Sequence, residues 1–167
     1  MKRVLGRSLI KRALMATTLG VSALLMAPQA ASAATYPLGV VSRDYRFYGV
    51  PSRLPAGTYN MTHYNVGSEP HVFIAVNLGP VCSDTITTIA QADAFLDEVH
   101  GPDDLAAACP GSSIAGSVFA PPGGRSTSEL NLASGRVLYF CPIPNDHGVP
   151  HDELGMIGFI NVFSISL

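Results

Sequence analysis

The chain has 167 residues, of which 47% are hydrophobic and 13% are charged. This length suits one domain, and so low a charged fraction with apolar residues spread throughout excludes an extended disordered chain. Its 16 Gly and 13 Pro are many for a helical bundle and indicate a chain with many turns.

The N-terminus has the pattern of a secretory signal peptide. Basic residues precede an apolar run from Ala13 to Ala27, and Ala31-Ser32-Ala33 offers the small residues of a cleavage site. The run is shorter than the ~20 residues that a membrane span needs, although a retained N-terminal anchor is the alternative. We predict a Sec-type signal over residues 1–33, cleaved after Ala33, and a secreted or periplasmic domain over residues 34–167.

The predicted mature chain is acidic. It keeps five of the ten basic residues, all of them Arg, together with all 12 Asp and Glu, so its formal charge is −7. This charge argues against nucleic acid and anionic membrane surfaces, which are bound by basic patches. It permits steering toward a basic partner, and solubility explains it equally well.

Short strands separated by turns predict a mainly β fold. Apolar or alternating segments read as strands at 40–50, 58–65, 71–78, 126–132, 136–141 and 157–165, with turns at 54–57 and 134–135. Several short strands bounded by Gly and Pro are typical of a β-sandwich or barrel.

One stretch has helical spacing instead. Apolar residues recur at helical intervals from Ile89 to Val99, and Thr88 with Gln91 fits a capping box. Gly101-Pro102 ends this helix, and residues 103–108 fit a second helical turn. We therefore predict one domain with a short helical insertion.

The mature chain has three cysteines, Cys82, Cys109 and Cys141. Exported proteins usually pair their cysteines, so an odd count leaves one thiol for another task. A Cys82–Cys109 disulfide would staple the base of the helical insertion, whereas either other pairing would engage Cys141. We favour the Cys82–Cys109 disulfide.

Four side chains form a candidate metal site. Cys141 ends a predicted strand, His151 and Met156 follow it with the spacing C-x9-H-x4-M, and His71 opens an earlier strand. A thiolate, two imidazoles and a thioether are the ligands of a type 1 copper site. In a sandwich, the loop between the last two strands can meet the start of an inner strand at one end. His147 lies in the same loop and is a rival to His151.

Two segments resemble the cupredoxins, the small blue copper proteins. Residues 54–78 (LPAGTYNMTHYNVGSEPHVFIAVNL) resemble the region of the first histidine, and residues 121–162 resemble the cysteine loop of secreted bacterial members, which ends G-x-P-H-x4-M. The resemblance implies a two-sheet Greek-key β-sandwich, one copper ion and one-electron transfer. It implies as copper ligands His71, Cys141, His151 and Met156.

The sequence departs from the family's pattern beside the first histidine. Plastocyanin-like members place Asn directly after it, where this chain has Val72. Asn65 is the candidate to tie the loop before His71 instead. The H-x4-M step favours His151 over His147, because that step resembles the family's.

Other polar residues fit structural roles. We expect His63, on an alternating strand, to be structural or at the surface. His100 stands at a helix end, where the helix dipole favours a cation. The acidic residues of the insertion, Asp93 among them, are expected on a solvated face.

These features favour an exported, monomeric one-electron carrier that works with an unidentified redox partner protein. An enzyme is disfavoured, because the sequence has no His-x-His pairs for a multicopper cluster and no G-x-S-x-G elbow. Two alternatives stay open: a copper storage or delivery protein with the same ligands, and a metal-free interaction module.

Overall fold

The computed structural model describes residues 35–165, so the predicted signal peptide lies outside the described residues. The strands are β1 (Thr35–Arg43), β2 (Arg46–Tyr48), β3 (Arg53–Pro55), β4 (Gly57–Asn65), β5 (His71–Asn77), β6 (Ser113–Ala120), β7 (Arg125–Leu132), β8 (Gly135–Phe140) and β9 (Ile157–Phe163). The helices are α1 (Gly79–Thr85), α2 (Ile89–Glu98) and α3 (Pro102–Ala108). Within residues 35–165, none of them is long and apolar enough to cross a membrane.

The strands form two sheets, which confirms the predicted two-sheet β-sandwich. One sheet has the order β2-β1-β4-β7 and the other has the order β3-β9-β8-β5-β6. The pairs β1–β4 and β3–β9 are parallel, and the other pairs are antiparallel. Inward side chains of both sheets form one core, which includes Val40, Met61, Phe73, Val137 and Ile160.

The prediction of a single strand over residues 40–50 is wrong, because the segment belongs to two strands, β1 and β2. The chain turns at Asp44 and Tyr45 and returns as β2, so that Val41 lies opposite Tyr48. Tyr45 adopts a left-handed backbone conformation with φ of 64°, which is uncommon for a residue with a bulky side chain. The β-forming residues of this segment do form strands, and the reversal between β1 and β2 is the difference from the prediction.

Strand β6 is absent from the sequence predictions. Its Gly116 has φ of 149°, and a Cβ there would lie 2.6 Å from the carbonyl oxygen of Glu129. Glycine therefore permits close approach to β7 while interrupting the alternation that marks a strand. Two further elements differ from the predictions. Strand β3 overlaps the predicted turn at 54–57, and helix α1 lies outside the predicted helices.

The helical insertion forms as predicted and packs on a second core. The capping box is present, since the Thr88 side chain accepts from the Gln91 amide and the Gln91 side chain accepts from the Thr88 amide. Helix α2 ends at Glu98, and α3 follows Gly101. The second core has members from both the insertion and the adjacent sheet: Val76, Leu78, Ile86, Ala92, Leu105 and Leu138.

A disulfide closes the helical insertion. Cys82 and Cys109 form a disulfide with a Cα–Cα distance of 5.6 Å, as favoured from the sequence.

The acidic residues of the insertion were expected on a solvated face, and Asp93 differs from that expectation. Its Oδ1 atom is buried without a hydrogen-bond partner. Burial raises the pKa of the Asp93 carboxyl group.

Removing the disulfide should destabilise the domain without touching the free thiol. The two cysteines are 27 residues apart, and closing a loop of that length contributes about 3–4 kcal/mol in the chain-entropy description. We expect the double variant Cys82→Ser/Cys109→Ser to lose that much unfolding free energy in urea denaturation. Thr88→Ala, which breaks the cap, is the matched control and should lose only about 1 kcal/mol. A double variant as stable as wild type would contradict this account.

Candidate metal centre

The candidate metal ligands meet at one end of the sandwich. His71 opens β5, Cys141 directly follows β8, and His151 and Met156 stand in the loop before β9. All four residues are fully buried. The fold brings His71, Cys141 and His151 together although His71 and His151 are 80 positions apart in the sequence.

Main-chain hydrogen bonds fold the loop between β8 and β9 back on its own start. The Cys141 amide donates to the Met156 carbonyl at 3.0 Å, and the Asp152 amide donates to the Cys141 carbonyl at 2.9 Å. The Met156 amide donates to the His151 carbonyl at 2.9 Å, and the His151 amide donates to the Ile143 carbonyl at 3.0 Å. The backbone therefore holds three of the four candidate ligands in fixed relative positions.

The donor atoms are close enough to share one ion. Nδ1 of His71 lies 3.1 Å from Nδ1 of His151, and Sγ of Cys141 lies 3.6 Å from that same nitrogen. One donor atom from each residue lies within 4.8 Å of the others. Two nitrogens bound to one ion at about 2 Å each are at most about 4 Å apart. The residues present therefore fit a metal held by two imidazoles and one thiolate.

Cys141 is the free cysteine among the described residues, and it is buried. Burial raises the pKa of its thiol, while amide groups of Val72 and Ile143 act in the opposite direction. The Val72 amide donates to Sγ at 3.4 Å. A thiolate is therefore costly here unless a positive charge binds it, and metal binding would release its proton.

His71 is held in its neutral form. Burial, followed by the neighbouring His151, lowers the pKa of His71 to about 4. Its Nε2 is buried without a hydrogen-bond partner and lies 4.0 Å from Oδ1 of Asp44. Neutral imidazole is the form that binds metals, so His71 is ready to bind one at neutral pH.

The outer nitrogen of His151 has a carboxylate partner that the sequence analysis missed. Nε2 of His151 lies 2.7 Å from Oε2 of Glu69, and the Tyr45 hydroxyl donates to Oε1 of Glu69 at 2.9 Å. The Tyr45 hydroxyl, and then His151, lower the pKa of the Glu69 carboxyl group. No spacing rule links these three residues, because each comes from a different loop.

Asn65 ties the loop before His71, as expected from the sequence. Its Nδ2 donates to the carbonyl groups of Glu69 and Ala120, and its Oδ1 accepts from the Gly67 amide at 2.9 Å. Val72, which stands where plastocyanin-like proteins have Asn, contributes its amide to the Cys141 sulfur. The loop is therefore braced from β4.

The other histidines lie apart from this cluster. The His147 side chain is 81% exposed and pairs with the equally exposed Asp146, so the rival to His151 is not brought to the site. His63 is buried, with Nδ1 2.9 Å from the Val118 carbonyl and Nε2 2.8 Å from the Ser42 hydroxyl. Of the two roles expected for His63, the structural one is correct.

Comparison with known proteins identifies the fold. No protein family matches the chain, and no curated protein matches it. Auracyanin B aligns with a TM-score of 0.50 and 23% identity, over 79% of this chain and 91% of its own. An auracyanin from the photosynthetic bacterium Roseiflexus castenholzii aligns with a TM-score of 0.48 and 20% identity, over 78% of this chain and 98% of its own. Auracyanin A, a "blue" copper protein from Chloroflexus aurantiacus, aligns with a TM-score of 0.47 and 20% identity, over 78% of this chain and 100% of its own. The fold is the cupredoxin fold that the resemblance implied.

The metal-free protein should lose stability between neutral and mildly acidic pH. An unfolded histidine gains a proton below pH ~6.5, whereas folded His71 stays neutral down to about pH 4. The unfolded state therefore binds more protons in this window, so stability falls as the pH falls, by up to about 3 kcal/mol. Burial also lowers the pKa of His63, which steepens the slope.

Urea denaturation at pH 7, 5.5 and 4 measures this slope. His71→Gln is the control, because it removes the larger contribution and should leave a shallower slope, due to His63, over the same window. An equal slope in the variant and the wild type would refute the assignment to His71.

Proposed function

We propose that this protein is an exported copper protein that binds one ion through His71, Cys141, His151 and Met156 and transfers single electrons. The observation that carries the proposal is the buried cluster of two imidazole nitrogens and one thiol sulfur within 4.8 Å of one another. Its location at one end of a cupredoxin fold supports the same proposal.

The chain's own residues would supply a site that changes little when an electron arrives. Copper bound there would supply the one-electron couple, since Cu(I) prefers soft sulfur and Cu(II) accepts imidazole and thiolate. His71 opens a strand, and the main-chain hydrogen bonds of Cys141 and His151 oppose movement of the other two donors. Full burial of these side chains excludes water from the donors. A rigid, dry site suits rapid electron transfer better than release of a metal.

The storage or delivery alternative uses the same ligands, so kinetics must separate the two. A delivery protein has to open its ligand loop, and the four main-chain hydrogen bonds described above oppose that opening. We therefore favour an electron carrier that works with a separate redox partner. Stopped-flow oxidation by ferricyanide should be complete before copper passes to a competing chelator, and the reverse order would favour delivery.

Loading with Cu(II) should give intense visible absorption from the Cys141 thiolate. Cys141→Ser should abolish the band, because the charge-transfer donor is lost. His147→Ala is the matched control and should keep it, since His147 lies outside the donor cluster. A colourless wild-type protein after aerobic copper loading would reject the proposal, and electron paramagnetic resonance of the same sample reports the metal's ligands.

Replacing Met156, the proposed thioether ligand, should change the potential and keep the colour. Met156 is buried and bound through its main chain to Cys141 and His151, so Met156→Leu conserves volume and loop anchoring. Loss of a weak thioether donor disfavours Cu(II), and we expect a higher reduction potential with the visible band retained. The other methionine of the mature chain, Met61 in the core, gives the control Met61→Leu, which should leave the potential unchanged. A Met156→Leu potential equal to that of Met61→Leu would remove Met156 from the ligand set.

A further inference from the structure

We propose that Glu69 is a positioning residue for His151, which fixes the tautomer and orientation of the imidazole while Tyr45 holds the carboxylate in place. The part of this proposal that concerns copper rests on the proposed function. The part that concerns the imidazole tautomer does not, since it applies to the metal-free protein as well.

The hydrogen bond determines which ring nitrogen bears the proton. Oε2 of Glu69 is 2.7 Å from Nε2 of His151, and an ionised carboxylate can only accept. A neutral His151 must therefore carry its proton on Nε2, which leaves the lone pair of Nδ1 free. That Nδ1 faces Sγ of Cys141 and Nδ1 of His71. The carboxylate thus prepares the nitrogen that faces the other donors.

Tyr45 occupies the second oxygen of the carboxylate. Its hydroxyl donates to Oε1 of Glu69 at 2.9 Å, and its ring centroid lies 5.1 Å from that of His151 in an edge-on arrangement. The carbonyl oxygen of Tyr45 would lie 3.4 Å from a Cβ at Gly155, so the turn packs against the ligand loop. The left-handed backbone of Tyr45 is an uncommon conformation that this packing holds.

The main chain of Glu69 is anchored independently. The Asn65 side chain donates to the Glu69 carbonyl at 2.6 Å and to the Ala120 carbonyl at 3.1 Å. The backbone of Glu69 is thereby anchored to β4, and its carboxylate is anchored to the Tyr45 hydroxyl. The Glu69 side chain is 27% exposed, and each of its two oxygens has a hydrogen-bond partner in the protein.

The other imidazole has no such partner. Nε2 of His71 makes no hydrogen bond, and the closest carboxylate, that of Asp44, is 4.0 Å away and accepts from the Ser68 amide. The two histidines are therefore unequal, and only His151 is joined to a carboxylate. A carboxylate accepting from the outer nitrogen makes an imidazole a stronger electron donor. Glu69 should therefore favour Cu(II) over Cu(I) and lower the reduction potential.

The first experiment needs no metal. Long-range nitrogen–proton correlation spectra of the metal-free protein at pH 7 report which ring nitrogen of His151 is protonated. We expect a single tautomer protonated at Nε2 in wild type and a mixture of tautomers in Glu69→Gln, because the amide can both donate and accept. A wild-type ring protonated at Nδ1, or at both nitrogens, would overturn the proposal, and so would a variant with the wild-type tautomer.

The second experiment measures potential and metal affinity in the copper-loaded protein. Loss of a partner of this kind typically costs 10–100-fold in metal affinity. If that loss falls on Cu(II) alone, the potential of Glu69→Gln should rise by about 60–120 mV. Glu153→Gln is the matched control for charge, because Glu153 is exposed and lies two residues from His151. We expect it to shift the potential much less.

Glu69→Asp separates contact from charge. It keeps the negative charge and shortens the side chain by one methylene, so the oxygen withdraws from Nε2, and we expect a rise in potential like that of Glu69→Gln. A Glu69→Asp potential equal to wild type, or a Glu153→Gln shift as large as that of Glu69→Gln, would reduce the effect to electrostatics and overturn the positioning role. If Glu69→Gln fails to fold, Glu69→Asp decides alone.

The two experiments fail separately. A wild-type protein that binds no copper would reject the proposed function, while the tautomer spectra would still decide the role of Glu69. A protein that binds copper with full colour but shows no change in Glu69→Gln would reject this inference and leave the proposed function intact.

Discussion

The short ladder of main-chain hydrogen bonds across the mouth of the β8–β9 loop is the constraint on which the candidate metal centre depends. Cys141 bonds to Met156 through its amide and to Asp152 through its carbonyl, so both ends of the loop are joined at the cysteine. The ladder brings His151 back to the end of β8, where β5 presents His71. Without it, three polar side chains would have no reason to share one buried volume, because each costs free energy when it leaves water.

The buried polar groups at this end are stable because nearly every one has a partner. Glu69 satisfies the outer nitrogen of His151, the Val72 amide reaches the Cys141 sulfur, and Asn65 satisfies the loop that carries Glu69. Among the described residues at this end, the exceptions are Nε2 of His71 and Oδ1 of Asp152. In a low-dielectric interior such networks are effective when complete and costly when broken, so the bracing from β4 and the turn at Tyr45 belongs to the site as much as the donors do.

The helical insertion and the candidate metal centre use the cysteines for different purposes. Cys82 and Cys109 close the insertion with a disulfide, next to a second core that packs on the sheet containing β8. Cys141, at the end of that strand, keeps its thiol. Pairing inside the insertion therefore protects the third sulfur from oxidation to a disulfide, and burial limits its access to other thiols. The odd number of cysteines follows from this division.

The sequence by itself determined the features that depend on neighbours along the chain. Alternation marked most strands, and Thr88 with Gln91 marked the helix start. The resemblance of the H-x4-M step to that of the cupredoxins favoured His151, which the structure brings to Cys141, over exposed His147. Tertiary structure decided the reversal at Tyr45, the strand that contains Gly116, and the contact between Glu69 and His151. The reason is physical: a hydrogen bond between side chains 82 positions apart has no local signature, since the folded backbone alone sets that distance.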